Sequence, residues 1–290
     1  MTIFDRCIVT NVRKPTNCLL AFAFVHFSSF RMSSQLHITL IQPHIVWEDK
    51  TANLAHYETL LTSISGPRHV VVLPEMFSTG FSMAPERLAE PMTGNTVKWM
   101  KEMAVKHRCI LAGSLIIEDD NNYYNRFLWV QPDGTIIHYD KRHLFAFAGE
   151  DQHYAAGNHR VIAQVNDWRI NLMVCYDLRF PVWARNKDAE YDVAIYVANW
   201  PRVRSLAWRT LLQARAIENQ CYVVGVNRVG TDAKGNDYSG DSSVFGPLGD
   251  LMWQHTETEA VRTITLEKNN LSQIREKLPF LKDADKFMLL

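Results

Sequence analysis

From residue 36 onward the chain alternates two kinds of hydrophobic pattern. Short continuous apolar runs, "LHITLIQ" (36–42), "HVVVLPE" (69–75) and "CILAGSLII" (109–117), predict buried strands. Between them Leu54, Tyr57, Leu61 and Ile64 recur at helical spacing, as do Val97, Met100 and Ala104, with Asn95 or Thr96 as the cap of the second helix. Strand, helix, strand, helix, strand is the order of parallel pairing with right-handed crossovers, so the chain reads as α/β.

The middle of the chain turns to hairpins. "YYNRFLWVQPDGTIIHYDK" (123–141) carries a Pro-Asp-Gly turn between two runs of aromatic and β-branched residues, and "RVIAQV" and "WRINLMVCYD" are joined through Asn166 and Asp167. A short helical segment near 182–187 leads to "YDVAIYVANW". A helix then places Trp208, Leu211, Leu212 and Ala216 on one apolar face, which assigns Trp208 to the core. The strand "CYVVGVNRV", a hairpin in "DSSVFGPLGDLMWQ", the strand "VRTITLE" and a polar, partly helical tail follow. No repeat, low-complexity stretch or linker divides residues 32–290, which are expected to form one domain of two mixed sheets packed face to face under outer helices.

Residues 1–31 stand apart. "CLLAFAFVHF" (18–27), after Arg6, Arg13 and Lys14, has the flavour of a signal peptide, yet it is too short to span a bilayer and no small-x-small cleavage site follows. Met32 directly precedes the first strand. The segment is expected to be a disordered or artefactual extension, with a targeting peptide as the alternative.

Composition narrows the function. With 47% apolar residues in 290, a substantial core is within reach. Lys plus Arg and Asp plus Glu both number 31, so no net field draws in nucleic acid or an anionic membrane, and neither partner is expected. The cysteines number 5, an odd count without any C-x-x-C pair, and the 11 histidines form no H-E-x-x-H. A reduced, cytoplasmic protein without metal or cofactor is expected.

Ligands of α/β sheets lie beyond the carboxyl ends of strands, and three polar residues stand there: Glu75, Lys141 and Cys175. Singly, each has a dull explanation as a loop acid, a surface lysine and a packing thiol. Together they supply what acyl transfer needs. A free thiol titrates near about 8.5, so Cys175 requires a base; Glu75 supplies it, and Lys141 with the backbone N–H of Tyr176 faces the tetrahedral oxygen. Cys109 and Cys221 lack such partners and read as packing. No G-x-S-x-G elbow suggests a serine hydrolase.

"LPEMF", "YDKRHLF" and "CYDLRFP" resemble the three signatures of the nitrilase superfamily, the carbon–nitrogen hydrolases, in order and over residues 35–290. The resemblance implies a four-layer α-β-β-α sandwich, commonly dimeric through its outer helices, with Glu75 as base, Lys141 as oxyanion stabiliser and Cys175 as acylated nucleophile. It also implies that Glu150, seven residues before Gly157, positions the lysine and the substrate amide. "CYDLRFPVWARN", "YVANWP" and "LLQARAIENQCYVVGVNRVG" are most similar to the ω-amidase branch, which hydrolyses the terminal amide of 2-oxoglutaramate and related ω-amides. A nitrilase, an N-carbamoyl amide hydrolase, a short-chain amidase or a scaffold that has lost its chemistry are the alternatives.

A carboxylate-bearing small-molecule substrate needs a cation at the far end of its pocket. Arg202 and Arg204, beyond "VANWP", are the candidates, whereas Arg179 is expected to satisfy backbone carbonyls of the turn after Cys175. Asn199, Trp200 and Phe81 are expected in the pocket wall.

Overall fold

A computed structural model describes residues 34–288; the expectation for residues 1–31 lies outside the described residues. In chain order the elements are β1 (Gln35–Gln42), α1 (Lys50–Thr62), β2 (Val70–Val72), α2 (Pro85–Leu88), α3 (Asn95–His107), β3 (Ile110–Asp119), β4 (Asn122–Val130) and β5 (Ile136–Asp140). They continue with α4 (Glu150–His153), β6 (Ile162–Val165), β7 (Trp168–Val174), α5 (Pro181–Ala184), β8 (Val193–Val197), α6 (Ser205–Asn219) and β9 (Tyr222–Val226). The last are β10 (Val229–Thr231), β11 (Asp237–Phe245), β12 (Leu251–Thr256), β13 (Ala260–Glu267) and α7 (Lys268–Lys277).

These strands form two mixed sheets. The first runs β13-β1-β2-β3-β4-β5 and the second β10-β11-β9-β8-β7-β6, with β12 alongside β11. Each has a parallel centre, β1–β2–β3 and β7–β8–β9, because a helix covers each crossover, and antiparallel flanks, of which β3–β4–β5 and β6–β7 are hairpins. Leu36, Ile38, Val70, Val72, Phe127 and Trp129 of the first sheet share one apolar core with Ile170, Leu172, Ile195 and Val224 of the second. Trp208 and Leu212 of α6 belong to that same cluster, while Tyr57, Leu61, Val97 and Met100 of α1 and α3 pack on Ile41, Val71 and Leu111. The result is an α/β sandwich whose strand ends from both sheets converge at one edge.

The cap of α3 differs from the expectation. Gly94 occupies the cap position, and the Glu90 carboxylate reaches forward to accept the N–H groups of Thr96 at 3.3 Å and Val97 at 3.1 Å. Glycine is required there because a Cβ on residue 94 would lie 2.7 Å from that of Glu90. Among the described residues no helix is long and apolar enough to cross a membrane.

Candidate active site

β5 and β7 are followed directly by Lys141 and Cys175, and Glu75 stands three residues beyond the end of β2. Lys141 Nζ lies 3.0 Å from Glu75 Oε1 and 2.9 and 2.8 Å from the two oxygens of Glu150, which opens α4. All three charged side chains are fully buried. Cys175 is partly accessible and lines a cavity of about 240 Å³ whose wall also includes Lys141, Phe81, Phe145, Tyr176, Asn199 and Trp200.

The local backbone is held by design rather than by propensity. Cys175 sits at φ +43°, a left-handed conformation costly for a residue with a Cβ, where β7 breaks directly into a 3-10 turn over Cys175–Arg179. Asp177 fixes that turn: its buried carboxylate accepts the N–H of Val174 at 3.0 Å, the N–H of His143 at 3.1 Å and the hydroxyl of Tyr139 at 2.8 Å, with the His143 ring 2.8 Å away. One aspartate therefore clamps the lysine segment to the cysteine turn. The N–H of Tyr176 belongs to the first turn of the 3-10 segment, where the helix itself supplies no acceptor.

Burial and neighbours set the charges. Burial alone would strip the proton from Lys141, but the Glu150 and Glu75 carboxylates outweigh it and hold the ammonium above its ordinary range. Burial raises the Glu150 carboxyl, and the nearby Glu75 adds to this against the pull of Lys141. Burial, reinforced by the negative Glu75 beside it, keeps the Cys175 thiol protonated well above the usual thiol range. The site thus favours the neutral form of the thiol over the thiolate.

A profile of the family described as Carbon-nitrogen hydrolase matches residues 37–276. The chain belongs to that family. This carbon–nitrogen hydrolase is 48% identical over 258 residues to the omega-amidase YafV of Yersinia enterocolitica, covering 89% of this chain and 100% of that one. It is 30% identical to the 2-oxoglutaramate amidase of Bacillus subtilis (strain 168), with 86% and 97% of the two chains covered. Among solved structures it resembles XC1258 from Xanthomonas campestris, a CN-hydrolase superfamily protein crystallised with an arsenic adduct in its active site. That likeness has a TM-score of 0.86 at 43% identity and covers 88% of this chain and 99% of the other.

Within the hydrolase, two arginines change places with the sequence expectation. Arg202 is not on the cavity wall; it is drawn outward into a bidentate pair with Glu257 at 2.6 and 2.5 Å. Arg179, expected to serve backbone carbonyls, lines the cavity with its guanidinium over the Trp200 ring, and Arg215 donates instead to Leu178 O at 2.6 Å. Arg204 lines the cavity as well, stacked over Phe145. Asn199 does more than form the wall: its N–H donates to Glu75 Oε2 at 2.8 Å and its side-chain amide to Glu75 O at 2.6 Å.

Three polar residues of the site escaped sequence reasoning. Asn125 and Ser114 lie inside apolar strands and Asp177 follows the cysteine; an unexplained amide or hydroxyl in a buried run is the signal that marks them. Gly157 has a steric reason. A Cβ there would stand 2.1 Å from the carbonyl oxygen of Asp140, the residue before Lys141, and the Gly157 N–H donates to Lys141 O at 2.9 Å. Gly157→Ala is expected to displace the lysine and cost about 1–3 kcal/mol, seen as a lower Tm together with reduced kcat.

Proposed function

We propose that this carbon–nitrogen hydrolase cleaves the terminal amide of ω-amides of small dicarboxylates, with 2-oxoglutaramate as the leading substrate, through a thioester on Cys175. The observation that carries this reading is the pairing of a Glu–Lys–Cys floor with two half-buried guanidiniums, Arg179 and Arg204, stacked on aromatic rings at the wall of one cavity. Neither has a carboxylate ion pair among the described residues, and a guanidinium on an aromatic face is poised for a planar anion. The relatives named omega-amidase and 2-oxoglutaramate amidase support the same substrate class.

In this reading Cys175 Sγ attacks the amide carbon while Glu75 takes the thiol proton. The carbonyl electrons move to oxygen, where the Lys141 ammonium and the Tyr176 N–H receive the charge. As the tetrahedral species collapses, the carbon–nitrogen bond breaks and Glu75 returns the proton to nitrogen, releasing ammonia. Water then gives a proton to Glu75 and attacks the thioester. The carbon–sulfur bond breaks, the proton returns to sulfur and the dicarboxylate leaves. Glu150 holds Lys141 in place throughout.

Arg204→Met and Arg179→Met are each expected to raise KM for 2-oxoglutaramate about tenfold or more, with kcat changed less and an uncharged short amide unaffected. Ammonia release from 2-oxoglutaramate, compared with a carbamoyl compound and a nitrile, tests the assignment. Faster turnover of either competitor would withdraw it. The reading also places the enzyme in the cytoplasm, where its thiol stays reduced, as a homodimer. Exposed Leu206 and Ile217, which fall on one face of α6, support a second copy packing there.

A further inference from the structure

Asn125 sits in the interior of β4 with no exposure. An amide is a poor strand residue, and a buried one must find partners for its donors and its acceptor. Here the partners are charged: Asn125 Nδ2 donates to Glu75 Oε1 at 2.7 Å and to Glu150 Oε1 at 3.1 Å. One primary amide has two N–H bonds, and each goes to a different carboxylate. Its carbonyl end is addressed just as specifically. Ser114 Oγ accepts the Met76 N–H at 2.8 Å, so its hydrogen is left to donate to Asn125 Oδ1, also at 2.8 Å. Turned over, the amide would aim its oxygen at both carboxylates.

We propose that Asn125 is a positioning residue that holds Glu75 and Glu150 side by side around the Lys141 ammonium, one N–H to each, with Ser114 fixing the direction of its amide. The assignment rests on Glu75 acting as the base. The relay begins at the main chain of Met76, passes through two side chains on neighbouring strands and ends on the carboxylate of the residue before Met76. Two strands of the first sheet therefore carry the orientation of a base that sits at the end of a third.

The consequence is electrostatic. Two buried carboxylates share one ammonium, an arrangement that favours uptake of a proton by one of them. Lys141 opposes this, and the two N–H bonds of Asn125 add a donor to the charged form of each acid. The other titratable groups around the pair are Lys141 after β5, Cys175 after β7, Tyr154 after α4 and Tyr238 on β11. Lys141 stays charged, and burial keeps the thiol and both tyrosines protonated. Of the two acids, Glu150 is the one that burial pushes up. Asn125, with one N–H on each carboxylate, thus opposes uptake of a proton by the pair.

The test is the acid limb of the kcat/KM profile, which reports the free enzyme. Asn125→Leu keeps the branched side-chain shape at a somewhat larger volume, removes both donors and leaves the cavity wall untouched, since Asn125 does not line it. The limb is expected to move up by about one pH unit, with kcat lowered about tenfold or more and KM changed less than about twofold. Ser114→Ala keeps the amide but frees its direction, and is expected to shift the limb the same way by less. A purely structural residue would lower the active fraction without moving the limb, so an unmoved limb in an active Asn125→Leu protein overturns the proposal. Should that variant fail to fold, an unmoved limb in Ser114→Ala overturns it equally. Cys175→Ala on the same substrate separates the two readings: activity surviving there sinks the thioester chemistry, whereas an inactive Cys175→Ala beside an unmoved limb sinks only the role of Asn125.

Discussion

Cys175→Ala is expected to fold and to lose turnover by a factor on the order of 10⁴ or more. The substitution removes a small neutral thiol, so the charges of Glu75, Lys141 and Glu150 keep their partners and Tm should move by only a few degrees, about the shift of a modest core change. What it deletes is the sole sulfur at the cavity floor among the described residues; Cys109 and Cys221 are buried elsewhere in the core. Cys175→Ser is expected to fail almost as badly. Its hydroxyl holds a proton more tightly than a thiol, and Glu75 would have to remove it from a site that already disfavours negative charge. Steady-state ammonia release with a thermal melt on the same sample checks both.

Lys141→Met carries the second large effect, on stability as well as rate. Without the ammonium, Glu75 and Glu150 face each other in a buried site with Asn125 as their only shared donor among the described residues. Breaking such a network by removing one partner costs about 3–5 kcal/mol, and in the proposed mechanism losing the cation that faces the oxyanion costs about 10²–10³ in kcat or more. The pH dependence has a definite sign. Burial already raises the Glu150 carboxyl against the pull of Lys141, and without the ammonium it rises further; folding then favours its neutral form, so this contribution is greatest at low pH and falls as pH rises through the raised value. In the wild type, Lys141 itself has the raised value, and its contribution is present below the ordinary lysine range and lost only above it. The Tm gap between wild type and Lys141→Met is therefore expected to narrow as pH falls from about 8 to 5. A gap independent of pH would show that the lysine does not neutralise the pair.

Much of this site is readable from the chain because strands announce where they stop. An apolar run that ends on Glu, Lys or Cys marks a side chain leaving the packed interior, and "VVVLPE", "IIHYDK" and "INLMVC" do so at the three positions that the fold brings together. What the pattern does not carry is anything set by distant partners. β13 pairs with β1 in a register that joins Gln35 to Glu267, a match that no local run encodes. Arg202 and Arg204 lie on one 3-10 turn two residues apart, yet Glu257 on a remote hairpin decides that the first faces outward. The cap of α3 departs from the local pattern for the same reason, since its acceptor arrives from Glu90 rather than from the residue at the helix start. Asn125 is the sharpest case: inside "YYNRFLWV" it reads as one more strand position, and its role exists only once two acids from other elements surround it.

In the proposed mechanism sulfur, not water, makes the first bond to the amide carbon. Quenching the enzyme with acid during turnover of 2-oxoglutaramate and mapping the acylated peptide by mass spectrometry tests it most directly. A thioester is expected on the peptide carrying Cys175 and none on Cys175→Ala. An acyl group attached to any other residue, or full turnover by Cys175→Ala, would contradict it.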